Sequence, residues 1–427
     1  MILTTIVILL TLLVLAVPVA AALGVLGLSL SGLYSPLPLS YAMGEIAWTT
    51  STNFLLVAIP LFVMLGEILL RSGMASRMYT ALVLWMPWLP GGLMHSNIAA
   101  CTMFSATSGS SVATAATIGT VAMEQIQKNS YNERLFLGTI AAGGTLGILI
   151  PPSVNLILYG VLTQTSIPQL YLAGLVPGLV LASLFSATVL VACIMKPAWG
   201  GRRTAVSWEQ RLRALPDLLP PVVIFLAVIG SIYAGWATAT EAAALGVVAA
   251  LVIAALHGAV NLTMLKTAFE GTMKTTAMIM AVMIGAYFLN LVFGATGLGN
   301  LASQAISGLD LSPVQLFLLI VVFYLILGMF METLSMMVAT VPIITPIMIT
   351  AGFDPIWLGI FIVVMMEIAL ITPPVGLNIF VVQGVRKKGR IEDVFVGALP
   401  FVVMMLVFVM LLYLFPQIVL ALPEAVR

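Results

Sequence analysis

The stretches ILIPPSVNLILYG (residues 148 to 160) and LITPPVGLNIFVVQG (residues 370 to 384) set two proline pairs 222 positions apart inside apolar sequence. Other pieces fall into step with them: FLGTI (136 to 140) on WLGIF (357 to 361), SVATAAT (111 to 117) on MVATVPI (337 to 343), and RSGMAS (71 to 76) on ATGLGN (295 to 300). All of these offsets lie between 221 and 226, so the chain reads as two related halves. The charges break the match in an informative way. Arg71, Arg77, Lys128 and Arg134 have no basic partners in the second half, and Lys266, Lys274 and the Arg386 to Arg390 cluster have none in the first. Loops rich in Lys and Arg stay cytoplasmic, so the halves are expected to cross the membrane in opposite senses. An inverted repeat with helices broken near the bilayer midplane is the architecture of a secondary transporter.

Composition independently puts the chain in lipid. Hydrophobic residues make up 62% and charged residues 7%, against roughly 25% charged in soluble domains. The 16 cations and 15 anions are gathered into a few loops, and nothing points to nucleic acid. Residues 1 to 30 resemble a secretory signal only at AVPVAAA. No basic region precedes the apolar run, so an uncleaved first transmembrane helix is expected. Cys101 and Cys193 form no C-x-x-C, and His95 and His257 lack metal-ligand spacing.

The fold class is therefore an all-α polytopic membrane protein built as an inverted repeat, with two re-entrant helical hairpins and two proline-broken helices. The first repeat covers 1 to 200, a connector and linking helix 201 to 236, and the second repeat 237 to 427. Spans are expected at 3 to 30, 52 to 70, 169 to 195, 217 to 236, 239 to 257, 276 to 294 and 394 to 416. The apolar segments around 92 to 104 and 112 to 123 are too short to span separately and are joined by SATSGSS, which predicts a hairpin over about 92 to 123. A second hairpin is expected over about 313 to 350. The broken helices fall at 135 to 165 and 357 to 385. Residues 262 to 274, with Lys266, Glu270 and Lys274 at four-residue spacing, suit either a surface helix or simple helix support. The N-terminus is expected in the cytoplasm and the C-terminus outside.

Proline cannot donate a helical hydrogen bond, so Pro151 and Pro152 free the carbonyls of Gly147 and Ile148, and Pro373 and Pro374 free those of Ala369 and Leu370. Thr372 adds a hydroxyl. Unpaired carbonyls in a low-dielectric interior cost several kcal/mol unless replaced, and a small cation with oxygen preference replaces the lost bond well. Sodium is the natural occupant, and each copy carries a downstream asparagine, Asn155 or Asn378. At the first hairpin tip, Ser105, Thr107, Ser108, Ser110 and Ser111 surround Gly109, too many hydroxyls for packing alone. The second tip runs from Gly328 through Met331, Glu332, Thr333 and Ser335. Ser110, Asn155, Glu332, Thr333 and Asn378 are the candidate substrate contacts. Helix ends meeting at such tips offer N–H groups to an anion. An acid at that depth balances charge or coordinates an ion, so Glu332 is singled out. Glu367 belongs to the second site or has a structural partner. Glu67 and Arg71 form a helix-end ion pair, Thr238 and Glu241 a capping box, and the pairs Gly143/Gly147 and Gly174/Gly178 close helix contacts.

No G-x-S-x-G elbow, Walker A loop, H-E-x-x-H or dinucleotide fingerprint is present, and GATGLG (294 to 299) follows a transmembrane segment rather than a strand. No enzymatic activity and no cofactor are expected, and a membrane-embedded hydrolase has no acid, base and nucleophile converging on one segment. The segments SGSSVATAATIGTV (108 to 121), GGTLGILIPPSVNLILYG (143 to 160), TSIPQLYLAGLVPGL (165 to 179) and TATEAAALG (238 to 246), in this order, resemble the large membrane subunit of tripartite ATP-independent periplasmic (TRAP) transporters.

That resemblance covers nearly the whole chain. It implies an elevator-type fold of the ion transporter superfamily in a bacterial inner membrane. It also implies sodium-driven import of an organic acid, of the dicarboxylate or sugar-acid type. The implied partners are a separate small membrane subunit and a periplasmic substrate-binding protein. Carried over position by position, a first sodium site falls on Ser105, Ser108, Gly147, Ile150 and Pro152, and a second on Gly328, Ala369, Thr372 and Val375. Gly376 inserts one residue between the second proline pair and its asparagine, so Asn155 and Asn378 are not bound to equal roles. The alternative is a self-sufficient ion-coupled anion carrier of similar fold.

Overall fold

In the computed structural model the described residues are 1–201, 206–298, 301 and 311–426. Arg202 and Arg203 of the basic connector, Gly299 and Asn300 of ATGLGN, and the Lys128 side chain lie outside them. The described secondary structure is helical throughout. Seven of its helices are long and apolar enough to cross a bilayer. The chain is a multi-pass membrane protein.

The first apolar run departs from the expected single span over 3 to 30. It forms two helices, Ile2–Val14 and Val19–Tyr34, that fold back on each other. The ring of Pro18 would meet the carbonyl of Val14, so the first helix stops there. Ala16 then adopts a left-handed conformation (φ 54°), and the N–H of Val17 closes onto the Leu12 carbonyl at 3.0 Å, a Schellman turn. The hydroxyls of Thr4 and Tyr34 meet at 2.6 Å, so the N-terminus returns to the face on which Tyr34 lies. At 13 and 16 residues, the two helices span about 20 and 24 Å, less than the hydrocarbon core. Residues 262 to 274, read as either a surface helix or simple helix support ahead of a span over 276 to 294, instead continue into that span as one helix, Leu262–Thr296, of 35 residues, with Lys266 and Glu270 paired along it at 4.0 Å. No proline interrupts it, and Gly271 lets it pass directly beneath the Glu67 carboxylate.

Five helices form a frame: Val19–Tyr34, Ala58–Arg71, Leu219–Tyr233, Ala239–Leu256 and Leu262–Thr296. Their pairing is reciprocal between the halves. Val19–Tyr34 packs on Leu262–Thr296, and Ala239–Leu256 packs on Ala58–Arg71. Small residues permit the close approach, as where Gly246 receives Leu65 and Val228. Thr238 and Glu241 close the capping box that opens one frame helix, and Glu67 pairs with Arg71 at 2.8 Å at the end of another.

Against this frame stands a block made of two hairpins, two broken helices and the helices Ile167–Met195 and Ile391–Leu414. The first hairpin is Gly92–Ser108 and Ser111–Asn129, reversed through Gly109 in the left-handed region (φ 61°). Ser110 caps the return arm. The second hairpin is Pro313–Gly328 and Thr333–Thr350. Its return arm is long enough to count among the seven spans but is mostly buried in protein. The first broken helix runs Glu133–Thr145, tightens into a 3₁₀ turn at Leu146–Ile148, opens across Leu149 to Ser153 and resumes at Val154–Thr163. The second runs Pro355–Ile371, opens at Thr372 to Gly376 and resumes at Leu377–Arg386. Both Pro-Pro bonds are cis. A short helix beyond the last expected span, Gln417–Ala425, folds back onto Ile167–Met195.

Packing in the block is reciprocal as well. The return arm of the first hairpin lies on Leu377–Arg386 of the second half, and that of the second hairpin lies on Val154–Thr163 of the first. The two broken helices are antiparallel. At one end Arg386 donates to Glu133 at 2.8 Å and reaches Asp393 at 3.3 Å, while Arg134 binds the same Asp393 at 2.9 Å. At the other, the Tyr159 hydroxyl donates to the Pro355 carbonyl at 2.7 Å.

Candidate functional site

Each hairpin tip meets the helix break of its own half. At the first, a Cβ on Gly109 would stand 2.8 Å from the Pro152 carbonyl oxygen, and one on Gly147 would stand 2.7 Å from the Ser110 carbonyl carbon. Only glycine at both positions lets the two backbones touch. At the second, Gly328 lies directly against Ala369. Ser105, Ser108, Gly147 and Pro152 thus share one locality, with Ile150 packed beneath Gly178, while Gly328, Ala369 and Thr372 share another.

The first locality is rich in uncommitted oxygen. Ser105 is fully buried and its hydroxyl has no hydrogen-bond partner, although its carbonyl takes the Gly109 N–H at 3.2 Å. The Ser108 and Thr114 hydroxyls meet at 3.0 Å, and Thr114 also donates to the Ser110 carbonyl at 2.7 Å. Among the described residues no donor reaches the Gly147 carbonyl, because positions 151 and 152 are prolines. The Ile148 carbonyl, expected to be free as well, is not: the Ser153 hydroxyl donates to it at 2.5 Å. Ser153 then accepts from the Leu156 N–H as the cap of the resumed helix, so one side chain closes both sides of the break. The Ser111 hydroxyl donates to the Thr145 carbonyl at 3.2 Å and pins the return arm to the helix just before its break.

The second locality is poorer in hydroxyls. Thr372 gives its hydroxyl proton to the Ile368 carbonyl at 2.6 Å and keeps its lone pairs for another partner. The Ala369 carbonyl, expected to be free, receives only a long 3.5 Å bond from the Thr372 N–H, and no donor among the described residues reaches the Leu370 carbonyl. Val375 sits in the turn between the prolines and Gly376, whose φ of 46° starts the resumed helix. Glu332 serves as the N-cap of Thr333–Thr350, accepting from the Ser335 N–H at 3.4 Å and the Ser335 hydroxyl at 3.1 Å. Thr333 is buried beside it. A carboxylate at a helix N-terminus is favoured by the macrodipole, which gives Glu332 a structural task whatever else it does.

The asparagines differ. Asn378 crosses to the other half, where its amide donates to the Ala141 carbonyl at 3.1 Å while its own oxygen stays unpartnered and buried. The buried Asn155 has an amide nitrogen without a partner. Glu367 is 0% exposed, and neither carboxyl oxygen has a partner among the described residues. Sequence reading passed over Thr114 and Ser153. Ser153 carried a recoverable signal, a serine three residues before Leu156 where a helix must restart after prolines.

Comparison with known proteins places the chain. Residues 6–418 match the family described as "Tripartite ATP-independent periplasmic transporter, DctM component". The C4-dicarboxylate TRAP transporter large permease protein DctM of Pseudomonas aeruginosa is 34% identical over 88% of this chain and 87% of its own length. The isethionate TRAP transporter permease protein DctMQ of Oleidesulfovibrio alaskensis is 32% identical over 95% of this chain and 64% of its own length. Other relatives are named for ectoine, in Halomonas elongata, and for sialic acid, in Vibrio cholerae. Among solved structures, the YdaH transporter of Alcanivorax borkumensis shares the fold with a TM-score of 0.66 at 17% identity, covering 95% of this chain and 98% of that one. This chain belongs to the large permease (DctM) component family of the TRAP transporters.

Proposed function

We propose that this protein carries a small organic acid, a dicarboxylate or sugar acid, into the cell together with sodium, the acid being delivered by a periplasmic binding protein. A separate small membrane subunit completes the assembly in a bacterial inner membrane. The observation that carries this reading is the meeting of each hairpin tip with its own helix break, where Ser105, Gly147 and Leu370 present oxygens without hydrogen-bond partners. A small desolvated cation satisfies such oxygens, and the helix ends gathered at the tips offer N–H groups to a carboxylate. Relatives named for C4-dicarboxylate, isethionate and sialic acid carry acids, which supports an anionic cargo.

The reciprocal packing and antiparallel broken helices support an inverted repeat whose block moves as one body against the frame, an elevator. Reconstitution in liposomes with the small subunit and binding protein tests the coupling. Uptake is expected to require an inward sodium gradient. Equal uptake with potassium in place of sodium refutes it, and uptake by this chain alone favours the self-sufficient carrier.

A further inference from the structure

Resting on the moving-block reading above, we infer that the structure is the conformation open to the face of Glu124 and Arg386, and that Gly66 of the frame is the seat holding the first hairpin tip in it. Two localities related by the repeat differ sharply in exposure. Every residue of the first half's resumed helix from Val154 to Val161 is buried, as are Pro151 and Pro152. In the second half's resumed helix only Asn378, Ile379 and Val382 are buried, and Pro373 and Pro374 are exposed. The return arms repeat the contrast. That of the second hairpin is buried around its tip, at Thr333 and from Ser335 to Val338. That of the first presents a stripe at four-residue spacing in which Val112, Thr120 and Glu124 are exposed and Ala116 is half-buried, with Val112 42% exposed. A stripe of small side chains that turns polar at Thr120 and ends in the Glu124 carboxylate faces water rather than lipid.

The elements bearing these open surfaces all end at the face where Arg386 binds Glu133 and Asp393. Those that are sealed end at the opposite face, near Tyr159 and Pro355. One side of the tips is therefore wet and the other closed, the state an alternating-access carrier has when facing the cytoplasm.

Gly66 is where frame and tip touch. On Ala58–Arg71, Leu65 packs into Gly246 and Glu67 onto Gly271, both within the frame, whereas Phe62 and Gly66, one turn apart, face the block. Phe62 meets Tyr171 edge to face. A Cβ on Gly66 would stand 3.2 Å from both the Cα and the carbonyl oxygen of Ser108, backbone that has no rotamer to escape into. A methyl group at 66 requires the tip to give slightly, and a bulkier side chain requires more. Bulk there penalises this conformation and not one in which the tip has moved along the frame, so it shifts the population toward the opposite-facing state.

The test uses the full assembly in oriented vesicles, with Cys101 and Cys193 replaced by alanine. One reporter is Val112→Cys, probed from the cytoplasmic side, and the other is Leu334→Cys, probed from the periplasmic side with the same impermeant thiol reagent. In the parent without cargo, Val112→Cys labels quickly and Leu334→Cys slowly. Adding Gly66→Val slows the first by about tenfold and speeds the second, the shift that overpacking one of two states produces. Gly66→Ala moves both in the same directions by a smaller factor and serves if the valine variant does not reach the membrane. Opposite movement of the reporters separates a population shift from simple damage, which moves both together and overturns the role of Gly66, as does no movement of either. Fast Leu334→Cys and slow Val112→Cys labelling in the parent overturns the assignment of state. If sodium and cargo alter neither reporter in a parent that transports, the moving block itself is refuted.

Discussion

At the scale of single residues, the oxygens of the first locality differ in how much of their bonding is already committed. Ser108 meets Thr114, which keeps its bond to the Ser110 carbonyl if Ser108 is lost. Ser108→Ala therefore removes a candidate sodium ligand with little cost to the fold. It is expected to raise the sodium concentration for half-maximal uptake by about tenfold. Thr372→Val keeps the side-chain shape, loses the hydroxyl, and is expected to do the same. Sodium titration of uptake measures both, and wild-type half-saturation in both variants moves the sites elsewhere. Tyr79 is different in kind, because its hydroxyl donates to Asn97 at 2.8 Å and Asn97 donates on to Thr139 at 3.0 Å, a chain wholly inside the protein. Tyr79→Phe leaves the Asn97 oxygen without its donor and is expected to cost about 1–3 kcal/mol, read as a lower melting temperature in detergent with sodium half-saturation unchanged. Proline chemistry made the Gly147 and Leu370 carbonyls legible in the sequence, since a missing N–H can be counted from the chain alone. What could not be read was the neighbour that replaces it. Ser153 takes up the Ile148 carbonyl, and the Glu332 carboxylate is engaged as a helix cap.

At the scale of elements, proline pairs mark the broken helices and apolar segments too short to span around a polar joint mark the first hairpin, whereas hydropathy alone misjudged residues 2 to 34, since Leu15 to Pro18 is as apolar as the helices it separates. The signal was local and stereochemical, a proline after a left-handed alanine, and it turns one expected span into a folded pair. Contacts between elements depend on glycines whose neighbours sequence does not name. Gly138 and Gly397 press Glu133–Thr145 and Ile391–Leu414 together, and the Arg134 carbonyl lies where a side chain on Gly397 would begin. Gly138→Leu is expected to cost about 3 kcal/mol or to prevent assembly of the block. Gly384, where an added Cβ would meet nothing within 4 Å, supplies the contrast: Gly384→Ala is expected to stabilise its helix by about 0.5–1 kcal/mol. Melting temperatures in detergent of the two variants check the pair.

At the scale of the molecule, the 222-residue repeat and the cationic loops lead to the expectation of two opposed halves, and the reciprocal packing of frame and block supports that reading. Sequence could not say that each hairpin's return arm would rest on the other half's resumed helix, because that contact joins segments hundreds of residues apart. It bears on the proposed elevator, in which a block stitched across both halves would travel as a unit. Spin labels test this directly. One pair joins frame to block, Val252 on Ala239–Leu256 with Thr120 on the first return arm, and a second pair, Val252 with Val25, lies within the frame. Distances are measured by electron–electron resonance in lipid, with and without sodium and cargo. Travel of the block as one body predicts that the frame-to-block distances redistribute between two populations while the frame pair stays fixed. Unchanged frame-to-block distances in an assembly shown to transport would contradict it.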